Sequence, residues 1–388
     1  MSKNRHLTIM VCAVEPSADD LGASLMKALK AKHNEIDFVG SGGPSMIGEG
    51  LKSLFPIEPF SVIGPIDALR ALPAAVSASR ILANNAAKSH ADACILIDSW
   101  AFAHLAAKTI RKQSPTTKLI KYVAPQVWAS RPNRAKTASE LFDAMLCLFE
   151  FEPEYFEKYG LSSTWVGHSG FQDMRNRPGE GVAFRSKYGI SNQTPLLAVL
   201  PGSRKSEVQR LQEPFRQSLQ LISQRFPNMR TVIVAAPNVA QMLEPMGETW
   251  PGTPIIVEKA ERHDAFAAAN AALAASGTVV TELAIQSTPT VVAYRVGRLT
   301  ATWARRVITT KYASLINIAA QREVVPEFIQ ENCEPQKIAA AVINLLSDGN
   351  ARAAQIGAFP ALVTALTGSG DNTQSIAANA VLDEIWPK

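Results

Sequence analysis

Short apolar runs alternate with helix-period segments along almost the whole 388-residue chain, and nothing else in the sequence constrains the fold as tightly. Leu7 to Val14, Ala93 to Ile97, Lys118 to Val123, Ala144 to Phe149, Leu196 to Leu200, Thr231 to Ala236, Pro254 to Glu258, Ala271 to Ala275 and Thr290 to Tyr294 read as strands. Helical patterns run from about Ser17 to Ala31, His104 to Lys112, Ser206 to Phe226 and Val239 to Met246. A strand that is apolar throughout, instead of at alternate positions, is covered on both faces, as parallel strands with crossover helices are. The length suits two such domains. The expected architecture is therefore α/β, with two doubly wound Rossmann-like domains and a ligand cleft between them, beyond the carboxyl ends of the strands. The first domain is assigned to residues 1–175 and the second to 185–350. The polar stretch Asp173 to Gln193, with Pro178, Gly179 and Gly181, reads as the joint. The alanine-rich end of the chain reads as helical, with 370–388 crossing back to complete the first domain.

Several classes are excluded. No apolar run reaches the roughly 18–20 residues that span a bilayer. Leu7 to Val14 is cut off by Glu15 too soon for a signal peptide. Cys12, Cys94, Cys147 and Cys333 are scattered without metal-ligand spacing, so they read as buried thiols, and no metal site is expected. The formal charge of +5 is mild, but its distribution is not. Ser99 to Ser139 holds eight Lys and Arg and no acid; Leu283 to Arg322 is likewise acid-free and basic. Two long one-sign stretches point to an anionic partner: a phosphorylated ligand, nucleic acid or an anionic membrane face. No nucleic-acid recognition motif accompanies them, so nucleic acid is set aside.

Two small-residue turns carry the chemistry. Pro201-Gly202-Ser203-Arg204 and Ser276-Gly277-Thr278 each follow an apolar run and open a helical pattern, which directs backbone N–H groups at an anion. Ser206 reads as the helix cap after the first turn. Arg204 suits a departing phosphate. Glu282, one helical turn beyond Thr278, sits where it can accept ribose hydroxyls. In the first half, Glu15, Ser17 and Asp19 have two readings, helix capping or a substrate role. Asp98, at the end of an apolar strand, reads as a general base or as an N-cap. The candidate catalytic carboxylates are thus Asp98, Glu15 and Asp19. His168 has a structural reading beside a substrate-binding one. Arg298, Leu299, Trp303, Arg305 and Arg306 form a basic amphipathic pattern, read as a membrane-surface helix or as a core helix with a basic edge.

These residues, taken in order, resemble the lipid-A-disaccharide synthases, inverting glycosyltransferases of GT-B fold. Glu15-x-Ser17-x-Asp19, then Val39-Gly40 with Gly43-Pro44, then Tyr122, Pro125, Val127-Trp128-Ala129 and Arg134 are similar to its N-terminal motifs. Gly167-His168, Leu200 to Arg204, Ser276 to Thr278 with Glu282, and Asn317, Arg322, Val324 and Gln330 resemble the later ones. The resemblance implies a UDP-2,3-diacylglucosamine donor, an acylated sugar 1-phosphate acceptor, and UDP as leaving group. It implies substrate-binding roles for Ser17, Trp128, His168, Asn317 and Arg322. It also implies a homodimer at the cytoplasmic face of the inner membrane, and no cofactor. The sequence departs where the family has Pro-Asp-Phe-Asn after its strand-end Asp; Trp100-Ala101-Phe102-Ala103 stand there. This departure keeps two alternatives open: a catalytically idle relative that binds a nucleotide or anionic lipid, and a UDP-sugar epimerase of the same fold.

Overall fold

The computed structural model describes residues 5–60, 65–236, 239–297, 301, 306–368 and 372–386. Strands β1 (Leu7–Ala13), β2 (Ile36–Ser41), β3 (Lys52–Ser53), β4 (Ala93–Ile97), β5 (Lys118–Tyr122), β6 (Ala144–Cys147) and β7 (Ser162–Trp165) come first. Between them lie α1 (Pro16–Lys32), α2 (Pro44–Gly48), α3 (Pro65–Lys88), α4 (Trp100–Gln113), α5 (Arg134–Leu141) and α6 (Glu154–Glu157). Helices α7 (Ser169–Asn176) and α8 (Gly181–Lys187) lead into β8 (Leu196–Leu200), α9 (Lys205–Arg225), β9 (Arg230–Ala235), α10 (Ala240–Thr249) and β10 (Ile255–Glu258). Then come α11 (Arg262–Ala268), β11 (Ala271–Ala274), α12 (Val279–Ile285), β12 (Thr290–Tyr294), α13 (Leu315–Ala320) and β13 (Glu327–Ile329). The chain ends with α14 (Pro335–Ser347), α15 (Gly349–Thr367) and α16 (Thr373–Ile385).

Two compact units result: Met1–Ser169 with Gly368–Lys388, and Gly170–Thr367. The first carries a parallel sheet in the order β3-β2-β1-β4-β5-β6-β7, the second one in the order β10-β9-β8-β11-β12-β13. In each, the strand order reverses direction once, between β1 and β4 and between β8 and β11. Such a reversal leaves a crevice at the carboxyl ends of the two strands, because the following helices pass to opposite faces. Register then decides what meets there. Ala13 pairs with Ile97 in the first sheet and Ala274 with Leu200 in the second. The segments after each pair of strands therefore emerge side by side, about 5 Å apart.

Burial holds the units together. In the first, Leu82 of α3, Ala103, Ala106, Ala107 and Ile110 of α4, and Ala135 and Ala138 of α5 pack on one sheet face, all nearly inaccessible. Helix α16 docks against α1, β5 and β6 with Ala377, Ala378 and Val381 buried. Its Glu384 also pairs with Lys118 at 2.8 Å, partly exposed. A pair of that kind contributes about 0–1 kcal/mol, whereas a buried valine alone contributes about 1.5–3. Apolar packing is what seats the helix.

The stretch expected as a joint is not one. Its glycines serve close packing: a Cβ on Gly179 would lie 2.1 Å from the His263 carbonyl oxygen, and one on Gly181 2.6 Å from the Ala267 carbonyl. Helix α8 thereby lies directly on α11, inside the second unit, and Arg185 fixes it there through the Ala268 carbonyl at 2.9 Å and Asn270 at 2.8 Å. All four cysteines are buried thiols.

Candidate active site

The reversal between β8 and β11 opens into a pocket of about 600 Å³ in the second unit. Gly202, Ser203 and Arg204 line it from the end of β8, and Ser276, Gly277 and Thr278 from the end of β11. The two turns singled out in the sequence thus share one cavity, as the Ala274–Leu200 register requires. Lys259 and Arg262, Glu282 of α12, Glu207 of α9 and Tyr294 of β12 complete the polar lining. Three cationic side chains around a cavity at a switch point suit a polyanionic ligand.

The first turn works differently from its expected form. Its Ser203 and Arg204 N–H groups donate to Glu207 Oε2 at 3.0 and 3.2 Å. Glu207 at the third helical position, not Ser206, is therefore the cap of α9, as in a capping box. The Glu207 carboxylate also accepts the Tyr294 hydroxyl at 3.0 Å, and burial together with the Glu207 charge pushes the phenol up to about 12. Gly202 has φ +119°, and a Cβ there would sit 2.6 Å from Glu207 Cβ, so only glycine fits. Arg204 is largely exposed, 3.6 Å from Glu207. Its exposure, like that of Lys259, leaves it room to follow a ligand. In the second turn Ser276 donates to the Ala313 carbonyl at 3.0 Å, and a Cβ on Gly277 would meet open space. Glu282 faces the pocket with its Oε2 2.8 Å from Arg262 Nε, so it reaches any hydroxyl as half of an ion pair.

In the first unit the reversal between β1 and β4 places Glu15 and Asp98 next to each other. Glu15 precedes α1, and burial followed by repulsion from Asp98 raises its pKa, against the opposing pull of a Ser99 hydrogen bond and Lys121. Asp98 and Ser99 leave β4 with φ +50° and +33°, a left-handed corner that non-glycine residues rarely adopt. This geometry turns the carboxyl end of β4 sharply into α4. Trp100 begins that helix, its ring 5.6 Å from His104 and 5.8 Å from the Arg134 guanidinium carbon.

Other expected site residues are placed elsewhere. Asp19 is buried and its oxygens accept from the N–H groups of Gly43, Ser45 and Met46 at 2.8, 2.9 and 3.1 Å. It holds α2, with three of its carboxylate's four acceptor sites taken by backbone N–H groups. Trp128 is buried, donating to Glu152 at 3.1 Å inside a cluster with Phe149 and Phe151. Glu152 also accepts from Leu148 and Phe149, and burial raises its pKa to about 7. Asn317 is fully buried, with its amide donating to Val325 and Glu327 and its oxygen accepting from Val324 and Val325. Its work is to shape the loop between α13 and β13. Arg322 is exposed and does not line the pocket. Ser17 is exposed on α1, and His168 is partly buried, with desolvation lowering its pKa to about 4, so the imidazole is neutral at physiological pH. Arg298, Leu299, Trp303 and Arg305 lie outside the described residues; Arg306 is exposed. Among the described residues no helix is long and apolar enough to cross a membrane.

Lys259, Arg262, Tyr294, Glu207 and Lys121 were absent from the sequence-level site. Only Glu207 left a local signal, as the acid three residues after a turn. The others are brought in by strand register, which no local pattern encodes.

Two doubly wound units, with a polar pocket at the switch point of the second, define a GT-B fold. A putative UDP-N-acetylglucosamine 2-epimerase from Listeria monocytogenes has the same fold, with a TM-score of 0.63 at 13% identity over 98% of this chain and 96% of that one. The family profile described as lipid-A-disaccharide synthetase matches residues 9–380. The lipid-A-disaccharide synthase of Rhodospirillum centenum is 39% identical over 384 residues, 98% of this chain and 95% of that protein. That of Paramagnetospirillum magneticum is 39% identical over 382 residues, 98% of each. The chain belongs to the lipid-A-disaccharide synthase family, hexosyltransferases of lipid A biosynthesis.

Proposed function

We propose that the chain transfers the sugar of UDP-2,3-diacylglucosamine, with inversion, to the 6-hydroxyl of 2,3-diacylglucosamine 1-phosphate and releases UDP. The observation that carries this reading is the convergence of the two small-residue turns with Arg204, Lys259 and Arg262 on one pocket. The cations neutralise the charge that grows on the departing diphosphate, an interaction stronger in the transition state than in the ground state. Glu282 accepts from the ribose. Asp98, beside Glu15 at the other switch point, takes the acceptor proton as the oxygen attacks the anomeric carbon. Inversion follows from a single displacement. The acylated substrates place the working enzyme, as a homodimer, at the anionic cytoplasmic face of the inner membrane, where basic residues such as Arg306 meet headgroups.

One observation favours a second reading, a relative with altered turnover. Ala101 and Ala103 stand where the family carries an acid and an amide; Ala101 is exposed, Ala103 is buried, and neither offers an acceptor a polar group. The test is to mix purified protein with donor and acceptor and follow the products by mass spectrometry. Disaccharide 1-phosphate and stoichiometric UDP are expected. A folded sample that binds UDP and forms no disaccharide would overturn the reaction in favour of the altered relative. A new UDP-sugar appearing without any lipid acceptor would identify an epimerase.

A further inference from the structure

The most unusual group outside the pocket is a lysine in the middle of the first unit. Lys121 lies on β5, on the sheet face it shares with Leu119, and is 1% exposed. Its Nζ donates to three carbonyl oxygens: Asp98 at 2.7 Å, Tyr122 at 2.8 Å and Leu96 at 3.3 Å. All three ammonium protons are thus spent on the carboxyl ends of β4 and β5. The Tyr122 carbonyl also accepts the Asp98 N–H at 2.9 Å, so the two strand ends are stapled at one point. The chain leaves this staple through left-handed residues on both strands, Asp98 and Ser99 on one side and Val123 on the other. Two adjacent strand exits of this kind persist only where surrounding bonds over-determine them.

We propose that Lys121 is a positioning residue for the reaction: its ammonium holds the left-handed Asp98–Ser99 corner by the Asp98 carbonyl and sets a positive charge beneath the Asp98 and Glu15 carboxylates. The proposal rests on the reading of Asp98 as the acceptor-side base. No carboxylate bonds the ammonium directly among the described residues. The charged groups acting on it are Asp98, from the end of β4, and Glu15, from the end of β1. From the helices packed on the same side, Arg111 of α4 is paired with Asp143 and Arg134 of α5 lies over Trp100, while His104 and Lys108 of α4 act on each other. Burial lowers the Lys121 pKa to about 8, with Asp98 and Glu15 opposing the fall. The ammonium is therefore about half ionised near pH 8, mostly charged below it and mostly neutral above it. Lys121 in turn acts against the rise of the Glu15 pKa. It is a cation buried where two acids would otherwise repel each other into protonation.

The experiment compares wild type with Lys121→Met, which keeps length and volume and removes the charge and its bonds. Two readouts are taken. The first is carboxyl titration by carbon NMR, with Glu15 and Asp98 assigned through Glu15→Gln and Asp98→Asn. Lys121→Met is expected to raise at least one of these two carboxylate midpoints by a full pH unit; unchanged midpoints overturn the proposal, whether or not the protein turns over. The second is kcat against pH. Wild type should lose activity above about pH 8, and the variant should lose that limb, move its acid limb upward and fall at least tenfold in kcat with UDP affinity kept within twofold. A uniform loss with an unaltered profile would mean a structural role only and would overturn the proposal. If Lys121→Met does not fold, the wild-type profile decides: a plateau through pH 9 overturns it. A wild type that forms no disaccharide removes the reaction proposed above, while the carboxyl titration still judges Lys121.

Discussion

Tyr294 donates its hydroxyl to one oxygen of Glu207, at 3.0 Å, while the other oxygen of that carboxylate receives two backbone N–H groups of the Gly202–Arg204 turn. The strand β12 and the helix α9 are thereby tied to the same corner of the pocket. The protein's own anion sits where the turn was expected to greet a ligand. What the pocket keeps for an anionic ligand is the side chains of Arg204, Lys259 and Arg262 together with the second turn.

Glu207→Ala should then disorder the turn in addition to uncapping α9. Loss of a cap costs about 0.5–2 kcal/mol, and an orphaned Tyr294 hydroxyl adds to it. Calorimetry should show a lower melting temperature and UDP binding weakened about tenfold. UDP affinity equal to wild type would show that the turn takes no part in donor binding.

The two turn glycines should respond to different degrees. Gly202→Ala places a methyl group 2.6 Å from Glu207 Cβ at φ +119° and should destabilise the second unit by about 1–3 kcal/mol. Gly277→Ala meets no protein atom within 4 Å, so its cost is confined to the backbone strain of φ +158° and should be the smaller of the two, while its methyl enters the pocket and weakens UDP binding. Urea midpoints and UDP titrations of the pair decide it; a stable Gly202→Ala would contradict the close approach described above.

Asp98→Asn removes the proposed base and keeps the shape of the corner, since the Lys121 bond is to the backbone carbonyl. Turnover should fall about 10²–10⁴-fold, the usual contribution of general-base catalysis. UDP affinity should stay within threefold. The opposite pattern, weak UDP binding with near-normal turnover at saturation, would assign Asp98 to the donor.

Glu152 should make the first unit sensitive to pH. Burial raises its pKa from the usual 4.5 to about 7, so the folded state binds its proton more tightly than the unfolded state. Between those values the native protein holds more protons, and stability falls as pH rises from about 4.5 to about 7. The full effect corresponds to about 3 kcal/mol. Glu152→Gln, which keeps an oxygen for the Leu148 and Phe149 N–H groups, should remove this slope. Parallel urea-midpoint curves for the two proteins across pH 5–8 would refute it.

The sheets were legible because parallel strands buried on both faces leave unbroken apolar runs, as in Leu196–Leu200 with every residue buried. Helix α3, 24 residues long with Pro73 inside it and exposed, was not among the helical patterns read from the sequence. The two turns were legible as small residues after a strand. Their meeting was not readable locally, since it follows from the pairing of Ala274 with Leu200. Asp19, Trp128 and Asn317 misled for one shared reason. A polar residue in a motif signals a demanding hydrogen-bond environment, and sequence does not say whether the partner is a ligand or the protein's own backbone. Glu207 and Lys121 are the same case in reverse: charged residues in ordinary positions whose partners are non-local.

The docking of α16 on α1, β5 and β6 has a consequence for biosynthesis. The polypeptide is made from its N-terminus, so the β1–β7 half emerges first and must wait, one flank uncovered, for residues 368–388. The Gly170–Thr367 half, contiguous in sequence, needs no such delay. Order of translation and order of completion are inverted: the segment synthesised second is free to close first, and a ribosome that stalls before residues 368–388 are made leaves the acid-bearing half unsealed.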